Sequence, residues 1–275
     1  MSTTTYPHAE KHTIAAARRL VEALTWEAQD KRKRPLERRL AVLVRRMFAS
    51  QAAAIASKFL PRVKKAQLLE AAELPADLGN LLDSVLAQDA GNWARVLLQV
   101  LGDSWMAGAG DLKGDLTIDF DLPIDRPRDI LADRAGDRIT RINDVTRQQV
   151  RDILVAGIEQ RKTYQQVARE LRKKFAEFRG PARQRHIRDR AELIAITEVG
   201  QAYVDGQMDV AARLQSRGLR LRKSWLTVGD SRVSDGCAAN GAAGWIAMDA
   251  TFPSGHQAPL RFPGCRCSLQ VEVEQ

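Results

Sequence analysis

Apolar residues recur at helical spacing through most of the chain. Ala16, Leu20, Ala23 and Leu24 share one face from Thr13 onward, and the basic cluster Lys31–Arg34 then meets Pro35. A break is predicted there, because proline fits a first helical turn but not a helix interior. A long amphipathic segment runs from about Leu36 to Phe59, with Leu40, Leu43, Met47, Ala54 and Ile55 near one face. Arg38, Arg39, Arg45 and Arg46 lie largely off that face and read as solvated. Pro61 is expected to end the helix. Shorter helices are predicted over 65–73, over 76–88 with Leu78, Leu81, Leu82 and Val85, and over 92–106 with Trp93, Val96, Leu97, Val100, Leu101 and Trp105. The last two read as a packed pair.

The glycine-rich run Ala107–Gly114 is predicted to break the helical pattern. Leu116–Leu122 alternates apolar and polar residues, as a short strand or extended linker does, and Pro123 and Pro127 stiffen the chain beyond it. Asp119, Asp121 and Asp125 lack the ordered ligand series and closing Glu of a calcium loop, so they read as linker. The expected organisation is a loose tail over 1–12, a helical region over 13–110, a linker over 111–128 and a second domain over 129–275.

Helical spacing resumes with Ile130, Leu131, Ile139 and Ile142, and Asn143-Asp144 is predicted to break it and cap the next helix. That helix, over 145–160, carries Val150, Ile153, Leu154 and Ile158. Thr163 with Gln166 fits a capping box opening a helix through Val167, Leu171 and Phe175, and the two make a helical hairpin. A helix over 186–216 places Arg190, Ile194, Thr197 and Gln201 along one stripe, with Glu198 one step round, and Gly218 sits where a helix C-terminus wants glycine. The pattern then changes period. Leu219–Thr227 alternates, with Leu219, Leu221 and Trp225 on one face. Val228–Arg232 is its exit turn, and Ile246–Met248 and Ser268–Val273 are two further strand candidates. The fold class is α+β: a mostly helical N-terminal portion, then a long helix with a small antiparallel sheet.

Composition changes this picture little. The chain is 44% apolar but only 5% aromatic, so Leu, Val, Ile and Ala must fill the core. Charge adds more. A net +9 attracts polyanions, nucleic acid above all, with an anionic membrane or acidic protein as alternatives. The densest basic run is Arg172, Lys173, Lys174, Arg179, Arg183, Arg185, Arg188 and Arg190. It suits contact with the phosphates of double-stranded DNA, and equally a solvated loop and helix end. No aromatic set accompanies it for base stacking. No stretch approaches the roughly 20 apolar residues of a membrane span, and no signal peptide or membrane partner is expected.

All three cysteines, Cys237, Cys265 and Cys267, fall in the last third. An odd, clustered set points to a reduced compartment and a local thiol or metal site rather than a disulfide framework. Arg190 and Glu198 read as a structural polar network that could hold the later turn at Asp230 and Arg232. No histidine lies near them in sequence to make an acid–base pair.

The order Arg190, Ile194-Ala195, Thr197-Glu198, Ala202, Trp225, Asp230-Ser-Arg232, Cys237-Ala-Ala-Asn240, Gly244-Trp-Ile246, Phe252-Pro-Ser-Gly255 and Pro263-Gly-Cys-Arg-Cys267 resembles the Mu F-like head morphogenesis proteins of tailed bacteriophages. The likeness runs from about Arg190 to Leu269, with a helical lead-in over 142–175. It implies a minor head protein, present in a few copies near the portal and acting in head assembly, DNA packaging or ejection. It also implies portal, capsid or scaffold partners, and residence in the virion after assembly in host cytoplasm. A complete site in that family would look like a zinc knuckle. Here Ser234 and Phe262 stand where the family often has Cys and His, and Ile196 where it has Arg. Cys237, Cys265, Cys267 and His256 are left as the candidate zinc ligands, with small buried thiols the alternative. Arg190, Thr197, Glu198, Trp225, Asp230 and Arg232 are then structural residues. Two other readings are a zinc-dependent nuclease or toxin-like enzyme using His256 and Asp230, and a DNA-binding architectural protein. No His-Glu-x-x-His motif supports the former.

Overall fold

The computed structural model describes residues 25–65, 76–88, 90–113, 125–177, 187 and 189–274. The expected strand at 116–122 and most of the expected helix at 65–73 lie outside them. Its helices are α1 (Trp26–Ala54), which passes through a π-helical turn, Ile55–Phe59, into α2 (Leu60–Lys65), then α3 (Ala76–Ala87), α4 (Ala90–Lys113), α5 (Asp125–Glu159), α6 (Tyr164–Glu177) and α7 (Arg190–Ser216). The remainder is β1 (Leu221–Leu226), α8 (Asp235–Ala242), β2 (Ile246–Ala247) and β3 (Ser268–Val273). The α+β expectation holds. The three strands form one antiparallel sheet, β2-β1-β3, with Trp225 opposite Leu269 and Leu221 opposite Val273.

Four predicted breaks are not breaks. Pro35 lies inside α1, and Pro61 lies just past the π-helical turn in the continuing helix. Asn143 and Asp144 lie inside α5. The glycines at 108 and 110 lie inside α4. At Gly108 and Asn143 tertiary contacts outweigh a local preference of about 1 kcal/mol. The apolar stretch of α1 runs on through Val63, and the combined helix is long and apolar enough by composition to cross a membrane, contrary to expectation. Its Leu40, Ala41, Val44, Met47 and Phe48 are buried within the protein.

The chain divides into two compact units, neither contiguous in sequence. The first draws on residues up to Arg39, on Val100–Ile124 and on Ile194 to the end. Within it α4 and α7 touch backbone to backbone. A Cβ on Gly108 would stand 1.9 Å from the Tyr203 carbonyl oxygen, and one on Gly206 2.1 Å from that of Trp105. Gly108 is therefore a point of contact with α7. α7 ends in a Schellman motif: Gly218, at φ +92°, donates to Gln215 O and Leu219 donates to Leu214 O.

The start of α1 also belongs to this unit, docked on the closing residues of the chain through a polar stripe. Trp26 Nε1 donates to Arg266 O at 2.8 Å, Gln29 Nε2 to Leu269 O at 2.8 Å, and Lys33 Nζ to Ser268 Oγ at 2.8 Å. Arg266 reaches back to Asp30 at 2.8 Å and Glu37 at 3.1 Å. Gln207 of α7 adds a second, longer bond to Leu269 O at 3.4 Å. β3 ends the sheet, so these amides satisfy an edge carbonyl that would otherwise be a pairing site.

The second unit comprises Leu40–Gln99 and Asp125–Leu193. Val85 and Leu86 of α3, Ile142 and Val150 of α5, and Val167, Leu171 and Phe175 of α6 are among its buried residues. Asn143 is a buried polar hub: it accepts from Gln51 Nε2 at 2.7 Å and donates to Leu86 O at 3.2 Å. The capping box at α6 forms as expected, Thr163 N with Gln166 Oε1 at 2.7 Å and Gln166 N with Thr163 Oγ1 at 3.3 Å.

Candidate thiol site

Cys237 enters the site from the first turn of α8, a helix set by its N-cap, Ser234, whose hydroxyl accepts from Cys237 N. Cys265 and Cys267 enter from the run leading into β3. That run is positioned by α7: Thr197 Oγ1 accepts from Gly264 N at 2.9 Å, and Gly264 takes φ +80°, a conformation glycine tolerates at no cost. The side chains alternate, so Arg266 faces α1 while both thiols face the core.

The three Sγ atoms lie within 4.8 Å of one another, with Cys237 and Cys265 at 3.9 Å. All three residues are buried, against Trp225 and Phe252, whose rings meet edge to face at 5.2 Å. A hydrogen bond from the Cys267 thiol, then backbone N–H groups and Cys237, draw the pKa of the Cys265 thiol down to about 5 against the desolvation of its site. The same bond pushes Cys267 upward, since it holds the shared proton. The indole N–H of Trp225 has no nitrogen or oxygen partner and favours the ionised form of Cys267.

The surrounding loop is closed by side chains. Asn240, fully buried, donates to Ser254 Oγ at 2.8 Å and accepts from Ser254 N at 3.0 Å. Ser254 Oγ meets His256 Nδ1 at 2.9 Å. His256 is not a member of the thiol group; its ring nitrogen is engaged in this loop clasp. Ser234 is occupied as a helix cap and accepts from Arg261 at 3.4 Å, while Phe262 packs against the apolar cluster. The residues present thus fit a thiophilic cation in three of zinc's four positions, with cysteine sulfurs that are already gathered and buried.

Residues 148–270 match the family described as Phage Mu protein F like protein. This segment is similar to the Mu F-like family. No curated protein and no solved structure matches the chain.

The Mu F-like segment contains all the thiols but not their whole support, since Asp30, Lys33 and Glu37 lie outside it. Lys33 is buried, its ammonium 5.5 Å from the Tyr203 ring centre, and desolvation lowers its pKa. Desolvation likewise raises Glu37, with Arg266 opposing it. Nothing in the basic cluster Lys31–Arg34 marks one of its members as buried, which hides this network in the sequence. The available signal is a polar stripe at helical spacing: Trp26, Asp30, Lys33, Glu37. Lys223 is a second buried cation, on β1 on the face of Leu221 and Trp225. Lys223 Nζ donates to Met248 O at 2.7 Å and Gln257 Oε1 at 2.8 Å, and burial lowers its pKa. A lysine in phase with an apolar alternation is the clue it leaves in the sequence.

The other candidates are dispersed. Asp230 and Arg232 pair with each other in an exposed turn. Arg190 is not part of a solvated run: it bonds Thr146 Oγ1 and Ile142 O and lies 5.0 Å over the Phe48 ring, and burial brings its pKa down to about 10. Arg45, expected to be solvated, pairs at 2.7 Å with buried Asp189, the residue that caps α7. Glu198 is buried. Arg172 and Lys173 are exposed on α6 and Lys174 is half-buried; Arg179, Arg183, Arg185 and Arg188 lie outside the described residues.

Proposed function

We propose that this chain is a minor head protein of a tailed bacteriophage, carried in the virion beside the portal and acting in head assembly, DNA packaging or ejection. The observation that supports this best is the Mu F-like match over residues 148–270. In the structure, two of the residues behind the resemblance, Thr197 and Gly264, join directly. The test is the protein content of purified particles. A few copies per virion, and co-purification with the portal from procapsids, are expected; a chain absent from both defeats the proposal.

Within that role, the outward face of α6 is the DNA-facing surface. Arg169, Arg172 and Lys173 are exposed there, while Val167, Ala168, Leu171 and Phe175 on the opposite face are buried. Affinity for duplex DNA should fall steeply with salt, and a triple Ala variant at 169, 172 and 173 should flatten that slope. Zinc is the metal Cys237, Cys265 and Cys267 would hold. Its part is structural, tying α8 to the run entering β3, and stoichiometric zinc in the purified protein checks it. No catalytic step is proposed: Asp230 is paired with Arg232 and His256 clasps its own loop. Plasmid cleavage with added divalent metal, lost in His256→Ala, would overturn that reading.

A further inference from the structure

We propose that Cys237 and Cys265 form a reversible disulfide under peroxide-class oxidants, converting the thiol site into a covalent staple between α8 and the closing run, with Cys267 left as the free thiol. The geometry is already close. The two sulfurs sit 3.9 Å apart, against the roughly 2 Å of a bond. They come from different pieces of backbone, 28 residues apart in sequence. Cys265 and Cys267 instead flank a single residue, so a bridge between them would close a small, strained ring.

The chemistry balances in two steps. The Cys265 thiolate attacks one peroxide oxygen, the O–O bond breaks, and water leaves with the thiol proton, giving a sulfenic acid. Cys237 Sγ then attacks Cys265 Sγ, the S–O bond breaks, and a second water leaves with the Cys237 proton. Two thiols are oxidised and one peroxide is reduced to two waters. Thiol–disulfide exchange returns the pair to the reduced state.

The surroundings can accommodate the closure. Cys237 lies in the first turn of an eight-residue helix, and Cys265 follows the Pro263-Gly264 turn, so a shift of each toward the other leaves the sheet register at Trp225 and Leu269 untouched. The staple would close the loop that Asn240, Ser254 and His256 now clasp by hydrogen bonds alone. Metal binding and the staple exclude each other, because both use the Cys237 and Cys265 sulfurs.

The experiment uses full-length protein, reduced, chelator-treated and desalted, then exposed to hydrogen peroxide. Titratable thiols in denaturant should fall from three to one per chain, and peptide mapping should show Cys237 joined to Cys265 on a monomer. Dithiothreitol should restore all three. A Cys267→Ser variant should still lose two thiols, whereas Cys237→Ser should lose none to a disulfide. A Cys265–Cys267 or intermolecular linkage, or three thiols persisting in protein that circular dichroism shows to be folded, overturns the proposal. Zinc added before peroxide should slow the loss, and protection without any bound zinc would also count against it.

Discussion

Arg266 places its guanidinium 2.8 Å from Asp30, 236 residues earlier in the chain. The arginine stands between two cysteines that face the core, so one short run serves the thiol site on one side and the first helix on the other. Asp30 and Glu37 are two helical turns apart on α1, and Arg266 bridges them both. Removing it leaves buried Glu37 without its ion-pair partner and Asp30 with Arg34 alone. Arg266→Met should therefore cost about 3 kcal/mol or more in denaturant unfolding. A triple change with Asp30→Asn and Glu37→Gln should recover most of that loss, because the penalty lies in the stranded charges. A loss under about 0.5 kcal/mol for the single variant, the size of an ordinary surface change, would mean that α1 does not depend on this pair.

The glycines of α4 supply a sharper contrast. A methyl group on Gly108 would meet a backbone carbonyl, which has no rotamer to escape into, so Gly108→Ala should cost about 3 kcal/mol or more, or fail to fold. Two residues on, Gly110 has nothing within 4 Å of its would-be Cβ. Gly110→Ala should stabilise by about 0.5–1 kcal/mol through helix propensity. Equal thermal shifts for the two would sink the close crossing of α4 and α7.

Much of this architecture is legible in the sequence, and the failures share a cause. Periodicity locates β3 to the residue, the capping box at Thr163 and the glycine end of α7, since each is decided by neighbours within a turn or two. Gly108 and Asn143 each carry a local signal to stop a helix, but each answers to a partner far away in sequence. The thiol cluster is visible as a spacing. The occupation of Ser234 as a cap and of His256 as a loop clasp is not, because both depend on which atoms the folded loop brings into hydrogen-bond reach. The polar stripe on α1 is hidden for the same reason: a lysine beside three other basic residues looks solvated until Ser268 is found at its tip.

Asn143 tests the same principle from inside α5. Its side chain both accepts from Gln51 and donates to the Leu86 carbonyl, so Asn143→Leu strands one buried donor and one acceptor. A destabilisation of about 1–3 kcal/mol is expected, read from the urea midpoint at unchanged slope. The paired variant with Gln51→Leu should lose less than the sum of its parts. Strict additivity would argue that the two amides do not interact.

Asp111 gives the unit built on α4 and α7 a pH dependence. Its carboxyl is buried at the end of α4, and desolvation pushes its pKa up to about 7 from the ordinary 3.8, although the half-exposed Arg32 guanidinium lies against it. The folded state then holds a proton that the unfolded chain releases near pH 4. Stability from this group is full below that value and is lost as pH rises through about 7. The loss should be on the order of 2–4 kcal/mol across the window, since a tenfold change in proton affinity is worth about 1.4 kcal/mol and the Arg32 contact offsets part of the total. Unfolding free energies measured between pH 4 and pH 8 should fall accordingly, and Asp111→Asn should flatten the curve while leaving the acid end nearly unchanged. A wild-type profile that instead rises through this range would place Asp111 as a charged partner of Arg32, its desolvation outweighed by that ion pair.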